Sequence, residues 1–272
     1  MPETKTLTDY DSYAEDFDSM RKPSPLLVNE LKKIFGSDIL VLSIGCGTGQ
    51  YEEAFRNGKN IIGLDKSIRM LNLAKKRINY CINGNMLNLP FKDNAFDGVF
   101  FMQSLHHLGA NFEISIKERN HVRKLALREA VRVLKKGYLL IIQRDPIQNQ
   151  AVWFWKYFPK ALEKKLVIQP PIEVLIKWLK DLGFSKVKAI PVDDPMIKGF
   201  YNAEAPLHPS FRKSFSEFSY LTETELENGV KMLKKAIMEG CAQKEIEKCK
   251  KNFLKIGGTV FIVSALKERL TL

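Results

Sequence analysis

Residues 40–49 read Leu-Val-Leu-Ser-Ile-Gly-Cys-Gly-Thr-Gly, a largely apolar run that breaks into a turn with glycine at 45, 47 and 49. A second apolar run, Ile61-Ile62-Gly63-Leu64-Asp65, closes on a carboxylate twenty residues after Gly45. Short apolar runs bounded by turn residues read as buried strands. A strand ending in glycines presents bare backbone N–H groups, with no Cβ to hold a ligand away. An acid at the end of the next strand can accept from both hydroxyls of a ribose. The pair therefore predicts an adenosine-containing ligand lying across the carboxyl ends of parallel strands. A dinucleotide site spaces its glycines G-x-G-x-x-G. Here the third glycine comes one residue early and position 50 is Gln, which argues against a nicotinamide dinucleotide.

Working outward, Tyr10, Tyr13, Ala14 and Phe17 recur at spacings of three and four and predict a helix over 9–20. Pro23 and Pro25 end it, and another helix runs from Leu26 to Phe35. Strands are predicted at 39–44, 60–64, 80–83, 96–102 and 138–143, with helices at 50–57, 67–77 and 113–134. Lys135, Lys136 and Gly137 read as the basic last turn and glycine stop of the 113–134 helix. Alternation of this kind implies a mostly parallel sheet covered on both faces. Past residue 145 the pattern is less regular. Trp153, Phe154, Trp155, Tyr157 and Phe158 form one aromatic cluster, and Phe200, Tyr201, Phe211, Phe215, Phe218 and Tyr220 form a second. Either can wall an apolar pocket or simply pack a lid. A helix is predicted over 172–182 and a strand over 186–192. Thr222 through Glu225 read as a capping box opening a helix that stops at Gly240, and 257–263 read as a closing strand.

Gly45-Cys46-Gly47-Thr48-Gly49 resembles motif I of the class I S-adenosylmethionine-dependent methyltransferases, and Asp65 matches that family's ribose-binding acid. Residues 84–91, 96–107 and 128–137 are similar, in order, to its adenine-contacting stretch, its fourth strand with the following loop, and its helix before strand five. Within the family the resemblance is to the ubiquinone/menaquinone-biosynthesis-like superfamily. It implies an α/β, Rossmann-like, mostly parallel seven-stranded sheet with helices on both faces. The last strand is antiparallel, beside the sixth, and late insertions form a helical lid. The expected division is a cofactor-binding core with covering helices over 1–145, then 146–272, holding the rest of the sheet (172–192, 257–266) and lid insertions at 146–170 and 193–256.

The resemblance also implies S-adenosylmethionine as cofactor and assigns residues to it. Gly45 and Gly47 let the backbone approach its methionine part, with Gly49 at the start of the 50–57 helix, Asp65 takes the ribose, and Asn85 and Met86 face the adenine. Gln103 touches its edge, and Arg21 pairs with its carboxylate. The pattern Tyr10-Asp11-x-x-Ala14-x-x-Phe17-Asp18-x-x-Arg21 is similar to the family's cofactor-covering helix, with Phe17 in place of the usual tyrosine. Ser43 departs further, since the family carries an acid two residues before the first glycine. On that basis Ser43→Asp is expected to bind cofactor more tightly by ~1 kcal/mol. His106 and His107 follow the fourth strand, where the fold places substrate-facing groups, and are the candidate general bases near neutral pH.

The 43 basic and 31 acidic residues leave a net charge of +12, spread along the chain without an arginine-rich block. That suits a solvated surface and admits nucleic acid or an anionic substrate. The four cysteines, Cys46, Cys81, Cys241 and Cys249, form no C-x-x-C pair, which suits a reducing cytoplasm and gives neither a disulfide framework nor a metal site. No 18-residue uncharged apolar stretch predicts a membrane span, and the N-terminal residues do not read as a signal peptide. The expected activity is methyl transfer to a small, partly apolar molecule. Two alternatives stand beside it. A tRNA-modifying enzyme fits the charge, because wobble-uridine methyltransferases share a similar N-terminal helix and His-His pair. A non-catalytic cofactor-binding protein is permitted by Ser43 and by the lack of an obvious base. Arsenite methylation is disfavoured, because no cysteine lies between 82 and 240.

Overall fold

Strands β1 (Val41–Ile44), β2 (Ile61–Asp65), β3 (Tyr80–Asn83), β4 (Phe96–Met102), β5 (Leu134–Gln143), β6 (Lys186–Val192) and β7 (Val260–Lys267) form one sheet, ordered β3-β2-β1-β4-β5-β7-β6. It is seen in a computed structural model that describes residues 9–57, 59–195 and 197–268. β1 to β5 pair in parallel, whereas β7 runs antiparallel between β5 and β6, as expected. All four residues of β1 are buried, which explains its continuous rather than alternating sequence.

The helices are α1 (Tyr10–Met20), α2 (Pro25–Phe35), α3 (Gln50–Arg56), α4 (Ile68–Ala74), α5 (Ile116–Val133), α6 (Pro146–Ala151), α7 (Pro159–Ile168), α8 (Ile172–Asp181), α9 (Pro209–Lys213), α10 (Glu223–Met238) and α11 (Cys241–Ile256). Leu27, Leu31 and Phe35 of α2, Phe55 of α3 and Leu71 of α4 cover one face of the sheet. Leu127, Ala130 and Val133 of α5 and Leu175 and Leu179 of α8 cover the other. α10 opens on the predicted capping box: the Thr222 hydroxyl accepts from Glu225 N, and the Glu225 carboxylate accepts from Thr222 N. Among the described residues no helix is long and apolar enough to cross a membrane, and no cluster of three or more His, Cys, Asp or Glu is placed to hold a metal.

Several boundaries shift by a few residues from expectation, α5 starting at Ile116 and α4 ending at Ala74, and two of the shifts change a residue's role. The helix expected to reach 134 ends at Val133, and β5 begins at once at Leu134, four residues before the expected start. Gly137 therefore is no helix stop. It lies inside β5 at φ 134°, where a Cβ would sit 2.0 Å from the Asp97 carbonyl oxygen. Gly257, expected to open the last strand, instead caps α11 in the left-handed region, and β7 starts at Val260.

The late segments pack on the same core as α2 and β1. Phe154, fully buried, meets the rings of Trp155, Phe200, Phe211, Phe215 and Phe218 at centroid distances of 4.5–6.2 Å. Trp153 donates its indole N–H to the Phe200 carbonyl at 2.7 Å. Both aromatic clusters thus build the interior of the lid, and of these rings Phe215 also lines the cavity beneath it.

Candidate active site

The loop after β1 is bent by glycines in left-handed backbone, with φ 75° at Gly45 and 55° at Gly47. A Cβ on Gly45 would lie 2.4 Å from Ser104 Cβ, and Ser104 is fixed by donating its hydroxyl to Ile44 O at 2.6 Å. The N–H groups of Gly45 and Cys46 both donate to Leu64 O, at 2.7 and 3.1 Å, locking the loop to β2. At the end of β2, Asp65 accepts from Gly47 N at 2.8 Å through one oxygen and from Ser67 N at 2.9 Å through the other. Burial pushes its pKa up, against the pull of those N–H bonds. A carboxylate offers about four lone-pair sites, so two remain for the diol of a ribose. The loop and this acid together form a cradle that fits the nucleoside cofactor the sequence implies.

Position 43 shows how the missing acid is replaced. Ser43 is fully buried and donates its hydroxyl to Glu52 Oε1 at 2.5 Å. Glu52 is the third residue of α3, is 1% exposed, and burial raises its pKa from 4.5 to about 7. The sequence reading missed Glu52, whose only signal was an acid in the first turn of a helix after the glycine loop.

Asn85 follows β3 and its Oδ1 accepts from Leu87 N at 3.0 Å, an Asx turn that occupies one of the oxygen's two lone pairs. Met86 lies beside the glycine loop, its Cε 3.7 Å from where a Gly45 Cβ would stand. Gln103, at the end of β4, holds a left-handed φ of 53°, and its buried amide nitrogen has no partner. A non-glycine residue kept in that region points to a functional constraint.

α1 lies across this cradle and is tied at both ends. Asp11 accepts from the Ser67 hydroxyl at 2.5 Å. Asp18 pairs with Arg77 at 2.7 Å and accepts from the Gln50 amide at 2.8 Å. Arg77 also donates to Thr48 O at 2.9 Å, so the helix, the glycine loop and α4 share one set of bonds. Arg21, just past α1, donates to Ser214 O at 3.0 Å and stacks on Phe17 with its guanidinium carbon 4.4 Å from the ring centre.

Deeper in, the Tyr10 hydroxyl meets His107 Nε2 at 2.8 Å, and the His106 and His107 rings lie 4.0 Å apart. Lys165 of α7 pairs with Glu217 at 2.7 Å, with side chains 6% and 9% exposed. Burial alone would raise the Glu217 pKa, but Lys165 outweighs it and holds the carboxyl down at about 2. Burial, reinforced by Lys165, lowers the His107 pKa from 6.5 to about 3 and takes His106 well below its ordinary value. Both imidazoles are therefore neutral at physiological pH. Tyr10, Lys165, Glu217, Arg144 and Asn149 were not singled out in the sequence as site residues.

One cavity of about 540 Å³ connects the glycine cradle to this inner group. Arg21, Gly45, Gly47, Gly49, Asp65, Asn85, Met86, Gln103, His106 and His107 all line it, although they come from five separate stretches of chain.

Residues 42–142 match the Methyltransferase domain family. Over 142 residues the chain is 33% identical to a demethylmenaquinone methyltransferase of Lactiplantibacillus plantarum, covering 46% of this chain and 54% of that one. Over 176 residues it is 28% identical to a probable tRNA methyltransferase 9B of Bos taurus, covering 64% of this chain and 33% of that one. The chain thus spans about half, or less, of the length of these curated relatives. Its fold is similar to the crystal structure of a protein described as a methyltransferase from an antibiotic biosynthesis pathway of Anabaena variabilis. The TM-score is 0.70 at 20% identity, over 89% of this chain and 98% of that one. These similarities agree with a seven-stranded sheet whose last strand is reversed and with an acid-and-glycine cradle at the ends of β1 and β2. Residues 42–142 are a methyltransferase domain, set in the fold of the S-adenosylmethionine-dependent methyltransferases.

Proposed function

We propose that this chain transfers a methyl group from S-adenosylmethionine to a small acceptor held in the inner part of the cavity. The observation that carries this reading is the lining of the cavity: residues of α1 and of 213–217 join the glycine cradle in one concave site, which also holds the buried polar side chains of His106, Arg144, Asn149, Lys165 and Glu217. A site of this kind suits a small molecule with a few fixed polar groups. The cofactor supplies a methyl already activated on a sulfonium, so what remains for the chain is to hold donor and acceptor in line and keep water out. Gly45, Gly47 and Gly49 admit the methionine part, Asp65 holds the ribose, and Asn85 and Met86 flank the adenine. Arg21 and Gln103 border the same part of the cavity.

His107 and Tyr10 orient the acceptor. With its pKa near 3, His107 is a hydrogen-bond partner rather than the proton acceptor near neutral pH that its position suggested. Its neutral ring accepts from, or donates to, Tyr10, and the pair presents one fixed polar edge to the inner chamber.

Titration calorimetry with S-adenosylhomocysteine tests the cofactor site, with Asp65→Ala expected to weaken binding at least tenfold. Labelled methyl donor, incubated with fractionated extract of the source cells, tests the acceptor. Label in small molecules supports the proposal, and failure to bind the thioether overturns it. A second reading, methylation of tRNA, is favoured by the charge of +12 and by the similarity to the bovine protein. Label in RNA, with binding that falls steeply as salt rises, selects that reading instead.

A further inference from the structure

Arg144 follows β5 directly and lines the cavity, yet it is only 8% exposed. Its guanidinium donates to two backbone carbonyls at long range, Thr259 O at 3.3 Å and Pro195 O at 3.4 Å, and sits 5.3 Å from the centre of the Phe200 ring. Among the described residues no carboxylate is hydrogen-bonded or ion-paired to it. Five residues on, Asn149 is 2% exposed, lines the same cavity, and has an amide nitrogen with no partner.

The surrounding charges do not answer this demand. Lys165 and Glu217 neutralise one another at 2.7 Å, and Arg21 and Asp194 bring one charge of each sign. Among these charges around Arg144 one positive charge is left over, beside the unpartnered Asn149 amide, while the Asp65 carboxylate stands apart at the end of β2. A buried cation in that state is costly, and buried donors without acceptors add to the cost. The cofactor does not cure it, because it carries a single carboxylate against both an ammonium and a sulfonium.

We infer that the methyl acceptor bears a carboxylate, which Arg144 binds while the Asn149 amide donates to one of its oxygens. This rests on the methyltransferase reading and names the acceptor class for the same chamber. A guanidinium matches the two oxygens of a carboxylate in a fork, and a single surplus charge matches a monoanion rather than a phosphate dianion. Tyr10 and His107 line the same cavity and are left to orient the part of the molecule that takes the methyl group.

The test has a binding arm and a transfer arm. Calorimetry with S-adenosylhomocysteine is run on wild type and on Arg144→Gln, and the two affinities are expected to agree within about threefold. Small-molecule extract of the source cells is then passed over an anion exchanger, and each fraction is incubated with labelled methyl donor. Acceptor activity is expected in the retained fraction. It should survive phosphatase, and it should vanish when carboxylates are converted to amides with carbodiimide and methylamine. Arg144→Gln is expected to lower kcat/KM for that fraction about 30-fold or more, the equivalent of ~2 kcal/mol, with partial recovery in Arg144→Lys. Activity in the unretained fraction, loss on phosphatase treatment, or an unchanged rate in Arg144→Gln overturns the carboxylate while leaving the methyltransferase reading intact. No transfer by wild type to any fraction sinks that reading, and this inference with it. Should Arg144→Gln fail to fold, the amidation result decides alone.

Discussion

Replacing Ser43 with Asp restores the acid that relatives carry before the glycine turn, and sequence comparison alone expects tighter cofactor binding. The structure reverses that expectation. Ser43 is fully buried with its hydroxyl 2.5 Å from Glu52, a carboxyl whose pKa is already about 7. An aspartate there puts a second carboxyl about 4 Å away, where two unit charges repel by ~4 kcal/mol at an effective dielectric of about 20. At pH 8.5 the pair must either bear that repulsion or hold a proton against the solution. The variant is therefore expected to be less stable than wild type by ~3 kcal/mol. At pH 5.5 the two carboxyls share one proton in a charge-assisted hydrogen bond, and the deficit shrinks to ~1 kcal/mol. Urea denaturation at both pH values reads the stability, and calorimetry with S-adenosylhomocysteine reads the affinity. A Ser43→Asp protein as stable as wild type at pH 8.5, or one that binds the thioether more tightly, refutes the reasoning.

Four further outcomes follow from the same geometry. Because the folded-state pKa of Glu52 is raised from 4.5 to about 7, its contribution is fully present below pH 4.5 and is lost as pH rises to 7, about 3 kcal/mol in all. Glu52→Gln should flatten that part of the stability–pH curve measured by denaturation. Gly45→Ala forces an alanine into left-handed backbone and against Ser104 Cβ at 2.4 Å, and is expected to cost ~2 kcal/mol or more, read as at least a 30-fold loss of S-adenosylhomocysteine affinity. Lys165→Met leaves Glu217 buried without its cation and should destabilise by about 3–5 kcal/mol in urea melts, with most of the loss recovered in the Lys165→Met/Glu217→Leu double variant. Asp18→Asn loosens the tie between α1 and Arg77, a partly exposed pair, so calorimetry should show cofactor affinity down by ~1 kcal/mol with little change in overall stability.

What could be read in the sequence was whatever has a short-range signature. β1 and β2 were legible because strands buried on both faces are continuously apolar, and because the turn after β1 admits only glycine at 45. The capping box at Thr222 was legible because both of its bonds span three residues. The start of β5 was not, because Lys135 and Lys136 look like a helix end while in fact they continue a strand straight out of α5. The inner chamber was hidden for another reason. Lys165 and Glu217 are a buried pair separated by 52 residues, and Tyr10 and His107 by 97, so nothing local marks either contact. Glu52 stood close to the motif but on a helix, whereas the family pattern directs attention to the strand. The segment around 205–220 is split into a five-residue α-helix between two 3₁₀ turns, each too short to show a sustained period, which left its place beside the cavity unreadable.

The placement of β7 has a consequence for how the molecule is assembled. β6 joins the sheet only through β7, and the carbonyls that fasten Arg144 and Gln148 belong to Thr259 and Gly258, at the threshold of that strand. Everything from β1 to α11 precedes it in the chain, so the cradle for the nucleoside can be completed during synthesis well before the inner wall acquires its anchors. A nascent or clipped polypeptide stopping short of residue 258 would lack these anchors, together with Val260 and Ile262 on one face of the sheet and Val263 and Ala265 on the other.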